Sequence, residues 1–145
     1  MSWTTDLLTA IAVLLNSEGV GVRRPAGSVY TASETAIVFG RLPTEPDRAI
    51  ALAAYGVDQG ADDPVNTDGT QGVQLRVRGT KDPRVVDEIA DHAFDVLQGS
   101  QLLAVGVLQC TRRIQAPLGT DGNGRWERAD SYSLLVHRPT QHRPG

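Results

Sequence analysis

Residues 113–139 read RIQAPLGTDGNGRWERADSYSLLVHRP. The run divides into two arms around Gly119-Thr120-Asp121-Gly122-Asn123-Gly124. Asp-Gly and Asn-Gly in tandem tolerate positive φ at low cost, which tight strand reversals need. The incoming arm holds Ile114 and Leu118; the outgoing arm alternates Tyr132, Leu134 and Val136 against Ser133, Leu135 and His137. The stretch therefore predicts a long, projecting β-hairpin. It carries Arg125, Arg128 and Arg138 and no catalytic arrangement of side chains. Such a ribbon suits contact with a neighbour, so function is expected in surfaces rather than in a pocket.

Working outward, Leu102 to Leu108 reads as a further apolar strand before the hairpin. Upstream of it, Asp82-Pro83 predicts the start of a helix, with the acid as N-cap and proline at the first helical position. Val85, Val86, Ile89, Ala93, Phe94 and Leu97 give that helix one apolar stripe, and Gly99 closes it. Val73, Leu75 and Val77 alternate with Gln74, Arg76 and Arg78, the clearest strand pattern in the chain. If the apolar face packs under helices, Arg76 and Arg78 look outward, toward a neighbouring subunit or a bore.

The stretch from Val57 to Gln71 reads as a long polar loop, expected to be poorly ordered alone and to become ordered on a partner. Ala36 to Gly40 reads as a buried strand and Arg41 to Asp47 as a proline-punctuated turn. Ile50, Leu52 and Ala54 fit a strand face, although Ala49, Ala51 and Ala53 keep a helix reading open. Val20 to Thr35 is a polar connector without firm periodicity. At the N-terminus, Thr4 or Thr5 can cap a helix with Asp6 in its first turn and Leu7, Leu8, Ile11, Leu14 and Leu15 along one stripe. The pattern predicts an α+β two-layer sandwich, two helices on a mostly antiparallel sheet, as a single domain over 1–138. Residues 139–145 read as a flexible tail.

At 145 residues the chain is long enough for one domain with a real core. Its 14 lysines and arginines against 17 acids give a formal charge of −3, which argues against a dedicated nucleic-acid binder. Aromatics at 5% give no platform for base stacking. The single cysteine, Cys110, has no internal disulfide partner, which suits a reducing cytoplasm without requiring one. No apolar run approaches the roughly 20 residues of a membrane span. The opening MSWTTDLLTAIAVLL lacks a positive n-region and carries Asp6, so it reads as a helix and not a signal peptide.

Candidate chemistry is thin. Asp58, Asp62, Asp63 and Asp68 crowd the middle loop, but their spacing matches no EF-hand and Pro64 interrupts it. Asp121 to Gly124 resembles part of a calcium loop or a phosphate turn without the remaining ligands or a following helix. His92, His137 and His142 show no metal-ligand spacing. Cys110 with a histidine has no local support as a nucleophile pair; a buried strand cysteine is the default. No catalytic, cofactor or metal residue is assigned. Arg76, Arg78, Arg112 and Arg113 could contact phosphate, face solvent, or bridge to acids of an adjacent subunit; the last is preferred. Arg76, Arg78, Arg125, Arg128 and Tyr132 are the residues expected at a subunit interface.

Four segments carry a family resemblance: LLTAIAVLL, FGRLPTEPDRAIALAAYG, GVQLRVRGTKDPRVVDEIADHAFDVLQG and LGTDGNGRWERADSYSLLVHRPT. In this order, and over most of the chain, they resemble the tail terminator (often labelled minor capsid) proteins of long-tailed bacteriophages of actinobacteria. The resemblance implies a two-layer α/β fold and a non-enzymatic virion protein. It implies a six-fold ring, a homohexamer, that caps the finished tail tube, ends polymerisation and docks the head-side connector. Implied partners are further copies of the chain, the tail tube protein and a connector or head-completion protein. DNA would pass through the bore without sequence-specific binding; no cofactor and no membrane is implied. The place would be the head–tail junction of the virion, after assembly in the host cytoplasm. Other readings are a different neck protein, such as a head-completion or connector-joining protein, a small ligand-binding α+β module, or an enzyme using the acidic loop and a histidine.

Overall fold

Ser2, not Thr4 or Thr5, caps the first helix: its Oγ accepts the Thr5 amide at 3.0 Å. This appears in a computed structural model that describes residues 2–24, 28–58 and 68–144. Helix α1 runs Trp3–Ser17 and buries Leu7, Leu8, Ile11, Ala12 and Leu15 along one side. Asp6 lies in its first turn, where the helix dipole favours an acid. Gly19, at φ +78°, turns the chain away after the last turn.

Six strands follow among the described residues: β1 (Val22–Arg23), β2 (Ala36–Phe39), β3 (Ala49–Asp58), β4 (Asp68–Arg78), β5 (Val107–Thr120) and β6 (Trp126–His137). They form one sheet in the order β1-β2-β3-β4-β6-β5. The first three strands are parallel; the other pairings are antiparallel. The two helices and this mostly antiparallel sheet make the α+β sandwich that the periodicities predicted.

The second helix, α2 (Pro83–Leu97), starts as its sequence requires, with Asp82 accepting the Arg84 amide at 3.0 Å and proline in the first turn. It buries Val86, Ile89, Ala90, Ala93 and Leu97. With α1 it covers the sheet side that holds Ile50, Leu52, Val73, Leu75, Val77, Tyr132, Leu134 and Val136. Burial of this many aliphatic side chains is the main stabilising term.

Four local expectations are decided or changed, the first in favour of the strand reading. Residues 49–54 are strand: Ile50 and Leu52 sit opposite Val77 and Leu75, while Ala49 and Ala51 face the other way opposite Arg78 and Arg76. The middle loop is shorter than its polarity implied, because β3 continues to Asp58 and β4 begins at Asp68, with Val57 opposite Gln71. Buried Gln71 satisfies its polar end on the Tyr55 and Gly72 carbonyls at 3.1 and 3.0 Å. Most of the acidic loop, 59–67, lies outside the described residues. Within Leu102 to Leu108, a 3-10 turn at Leu103–Val105 precedes the strand. Gly106 then takes φ +80°, and a Cβ there would run into the His137 carbonyl.

The fourth change matters most. The hairpin turn forms as read: Asp121 Oδ1 accepts the Asn123 and Arg125 amides, both at 2.9 Å, and Gly124 adopts φ +77°. Its arms do not stand clear of the sheet. β6 is an interior strand, paired along its whole length with β4 on one side and with β5 on the other. Of the two arms only β5 is an edge, and it is broken by three register shifts and by Pro117, which has no N–H to offer.

Candidate assembly surface

Side chains alternate along each strand, so β4 and β6 send one set of residues under the helices and the other to a face that no helix covers among the described residues. On the helix side, Arg128 and Asp130 are buried. Arg128 Nε and Nη2 grip Asp130 bidentately at 2.8 and 2.9 Å. Its Nη1 donates to Asp87 and Asp91 of α2, both at 3.1 Å. Burial works against the charge, but Asp130 foremost and then Asp87 and Asp91 outweigh it and raise the Arg128 pKa. Arg112 approaches Asp130 at 3.5 Å and stacks on Phe94 at 4.0 Å from the ring centroid. One guanidinium therefore ties α2 to the sheet.

Arg78 and Arg125 do the same for a loop. Parallel β2 and β3 require the chain to travel back between them, and residues 40–48 make that return without a helix. Arg78 donates to the Asp47, Pro43 and Pro46 carbonyls at 2.8, 2.7 and 2.8 Å. Arg125 donates to Asp121 at 2.8 Å and to the Thr44 carbonyl at 2.7 Å, with Asp47 at 3.3 Å. Burial and nearby Arg125 lower the Arg78 pKa. At Arg125 burial also opposes the charge, yet Asp121 and Asp47 win and raise it. The fork of donors on arginine suits converging carbonyls in a way a lysine could not match.

Arg76 differs from these. It pairs with Glu127 through Nε at 2.9 Å and Nη2 at 2.7 Å, and its side chain stays 51% exposed. Tyr132 sits in the core beneath the helices, 1% exposed, where burial raises the phenol pKa. The five residues expected at an interface thus do not form one patch. Arg76 and Arg78 share the helix-free face, Arg125 fixes the hairpin turn, and Arg128 and Tyr132 lie on the helix side. The acids that meet Arg125 and Arg128 belong to their own chain.

Of the helix-free face, the sequence singles out only the Arg76 and Arg78 row and not the small residues around it. Ala51, Ala53, Gln74, Ala129, Ser131 and Ser133 floor it, all short except Gln74. Tyr55 lies over Gly72: a Cβ on Gly72 would stand 2.6 Å from the Tyr55 ring and from its carbonyl. A glycine opposite an aromatic across an antiparallel pair was the available signal. Toward β5 the face holds a recess of about 190 Å³ lined by Thr70, Gln109, Thr111, Arg113, Ser133 and Leu135.

Cys110, on the helix side of β5, has its thiol pushed up to about 11 by burial. Among the described residues no group of three or more His, Cys, Asp or Glu is placed to hold a metal ion. Among the described residues no helix is long and apolar enough to cross a membrane.

Buried cations hold a loop and a helix to the sheet of this α+β protein, beside a broad sheet face that carries no helix among the described residues. A family model described as bacteriophage tail terminator protein matches residues 14–137, from the last turn of α1 to the end of β6. The chain belongs to the bacteriophage tail terminator family and is a virion component of the tail end. No individual curated protein matches it.

Proposed function

We propose that this chain caps the completed tail tube as a homohexameric ring, ends tube polymerisation and offers the surface on which the head-side connector docks. Its place is then the neck of the virion of a long-tailed phage of an actinobacterial host, reached after assembly in the host cytoplasm. DNA traverses the bore without base readout, in keeping with a formal charge of −3. The reading is carried by family membership across 14–137. It is supported by a sheet one face of which carries no helix among the described residues, only the 43–47 segment over Arg78. Arg76 belongs to the subunit contact, while Arg78, Arg125, Arg128 and Tyr132 act from within by holding the surface in shape. The role needs no catalysis and no cofactor.

The test is to add purified protein to tail tubes that are still growing. Tubes should stop lengthening and show a ring of density at one end in negative stain. Tubes that keep elongating in saturating protein would refute the reading.

A further inference from the structure

We propose that the helix-free face of the sheet is the seat of a second copy of this chain, which presents to it the outward side of α2. The inference rests on the ring reading above and specifies its contact.

The receiving face is broad and shallow. Its floor is small, Tyr55 is laid flat over Gly72, and Arg76 is held down on Glu127 between the cross-strand neighbours Ala51 and Ala129. Large apolar side chains remain in solvent on the same face, Tyr55 at 46%, Ile114 at 58% and Leu135 at 40% exposure. Its free charge is positive. Arg113, at the rim of the recess, makes no ion pair among the described residues, and Thr70, Thr111, Ser133 and Gln109 beside it bring hydroxyls and an amide but no carboxylate. Among the acids on this face whose side chains are described, Glu127 and Asp68 are engaged by Arg76 and by His137; Asp58 stands opposite Thr70 at the far end of β3.

The opposite layer of the same chain carries the complement. Glu88, Asp91 and Asp95 recur along the exposed side of α2, and Asp87 flanks them. Asp87 and Asp91 hold Arg128 with one oxygen each and stay mostly exposed; Glu88 and Asp95 make no ion pair among the described residues. Arg84, the cation of that helix, is already engaged by Asp82 at 2.8 Å. Glu88 and Asp95 stand two turns apart, roughly 10 Å at 1.5 Å per residue. Arg76 and Arg113 stand two strands apart and about three residues out of level, roughly 14 Å between backbone positions, a difference that two long arginine side chains can take up. The outward side of α1 offers no such match, since its acids, Asp6 and Glu18, lie only at its ends.

Because donor and acceptor surfaces lie on opposite layers, each copy can give α2 to one neighbour and take α2 from the other. That is a heterologous contact, the kind that closes into a ring. Paired charges set its register, and the apolar residues around them supply burial.

Two variants test this. Thr111→Cys and Asp95→Cys in one chain should give, on mild oxidation, a ladder of covalent multimers. A mixture of the two single variants should stop at a dimer, and each alone should stay uncross-linked; buried Cys110 does not take part. Separately, Arg76→Glu with Arg113→Glu should raise the concentration for half-assembly about tenfold or more, as should Glu88→Arg with Asp95→Arg. All four changes in one chain should restore assembly to within a few fold of the unaltered protein. Rings that survive both reversals, with no ladder, would overturn this contact and leave the ring reading standing. Unaltered protein that forms no ring on tubes or in solution would overturn both.

Discussion

Arg76 and Arg128 sit on neighbouring strands of one sheet, each paired with a carboxylate, on opposite faces. Arg128 is sealed beneath α2 and uses its whole fork; Asp130, its main partner, is 1% exposed. Arg76 lies on the open face and meets one oxygen of Glu127. In water an ion pair replaces good solvation with a modest attraction, so it contributes little. Under a helix the solvation is already lost, and the pair becomes a joint whose removal strands a charge. The same residue type is therefore structural on one face and available on the other.

The difference can be broken first at Arg128. Replacing it with alanine leaves Asp130 buried against only Arg112 at 3.5 Å and leaves Asp87 and Asp91 without their shared cation. A loss of about 3–5 kcal/mol is expected in urea or guanidinium unfolding. Asp130→Ala should cost less, because Arg128 would keep Asp87 and Asp91 at the solvent edge. Equal losses for the two variants would mean that the pair, and not the stranded carboxylate, sets the energy. Deleting Thr120 to Arg128, a natural way to probe a free arm, would remove this joint together with Arg125 and should unfold the protein.

Leu75 and Arg76 make a sharper comparison, since they are adjacent on β4. Leu75→Ala removes a side chain that is 1% exposed and opens a cavity against Leu52 and the helices. It should lower unfolding stability by roughly 2–5 kcal/mol. If this loss matched that of Arg76→Ala, the two faces would not differ in packing as described.

Cysteine chemistry separates the faces without altering stability much. Cys110 and Thr111 are neighbours on β5, and the Cys110 thiol is pushed up to about 11 by burial. At neutral pH a thiol-reactive dye should leave the native protein unlabelled until denaturant is added. Thr111→Cys, on the open face, should be labelled at once in the native state. Prompt labelling of Cys110 would show that the helix layer opens readily.

Which parts of this were legible in the sequence follows range of interaction. Asp82-Pro83 and the stripe after it specify α2 because cap and periodicity are local. The alternation of Val73, Leu75 and Val77 fixed the face of each β4 residue, and the Asp121 turn was readable from its own glycines. What the alternation could not supply is what folds back onto a face. Arg78 points away from the helices as read, yet the 43–47 segment returns to cover it from more than thirty residues upstream. Arg128 looked like a free cation because Asp87 and Asp91 are about forty residues away in sequence. The hairpin looked like an arm because pairing between β6 and β4 is long-range, and no local pattern distinguishes an interior strand from a projecting one. Beyond the Arg76 and Arg78 row, the open face was not legible, because small residues, Ala51, Ala53, Ala129, Ser131 and Ser133, carry no chemical signature of their own.

The smallest expected effect is at Arg76 itself. Arg76→Ala removes a half-exposed guanidinium from Glu127, and buried Arg78, the cross-strand neighbour of Glu127, remains to compensate the carboxylate. Glu127 is only 10% exposed beneath Arg76, and truncating Arg76 opens it to water, so the loss should be about 0–1 kcal/mol of unfolding stability. The small residues around it, Ala51 and Ala129, lose only the cover of an aliphatic stem. If the open face is an assembly surface, the same substitution should weaken association more than it weakens folding, and most clearly at low ionic strength, where rim charges are least screened. Unfolding by denaturant and sedimentation at two salt concentrations would separate the two quantities. A fall in stability as large as that of Arg128→Ala, with association unchanged, would place Arg76 among the joints and remove the contrast between the faces.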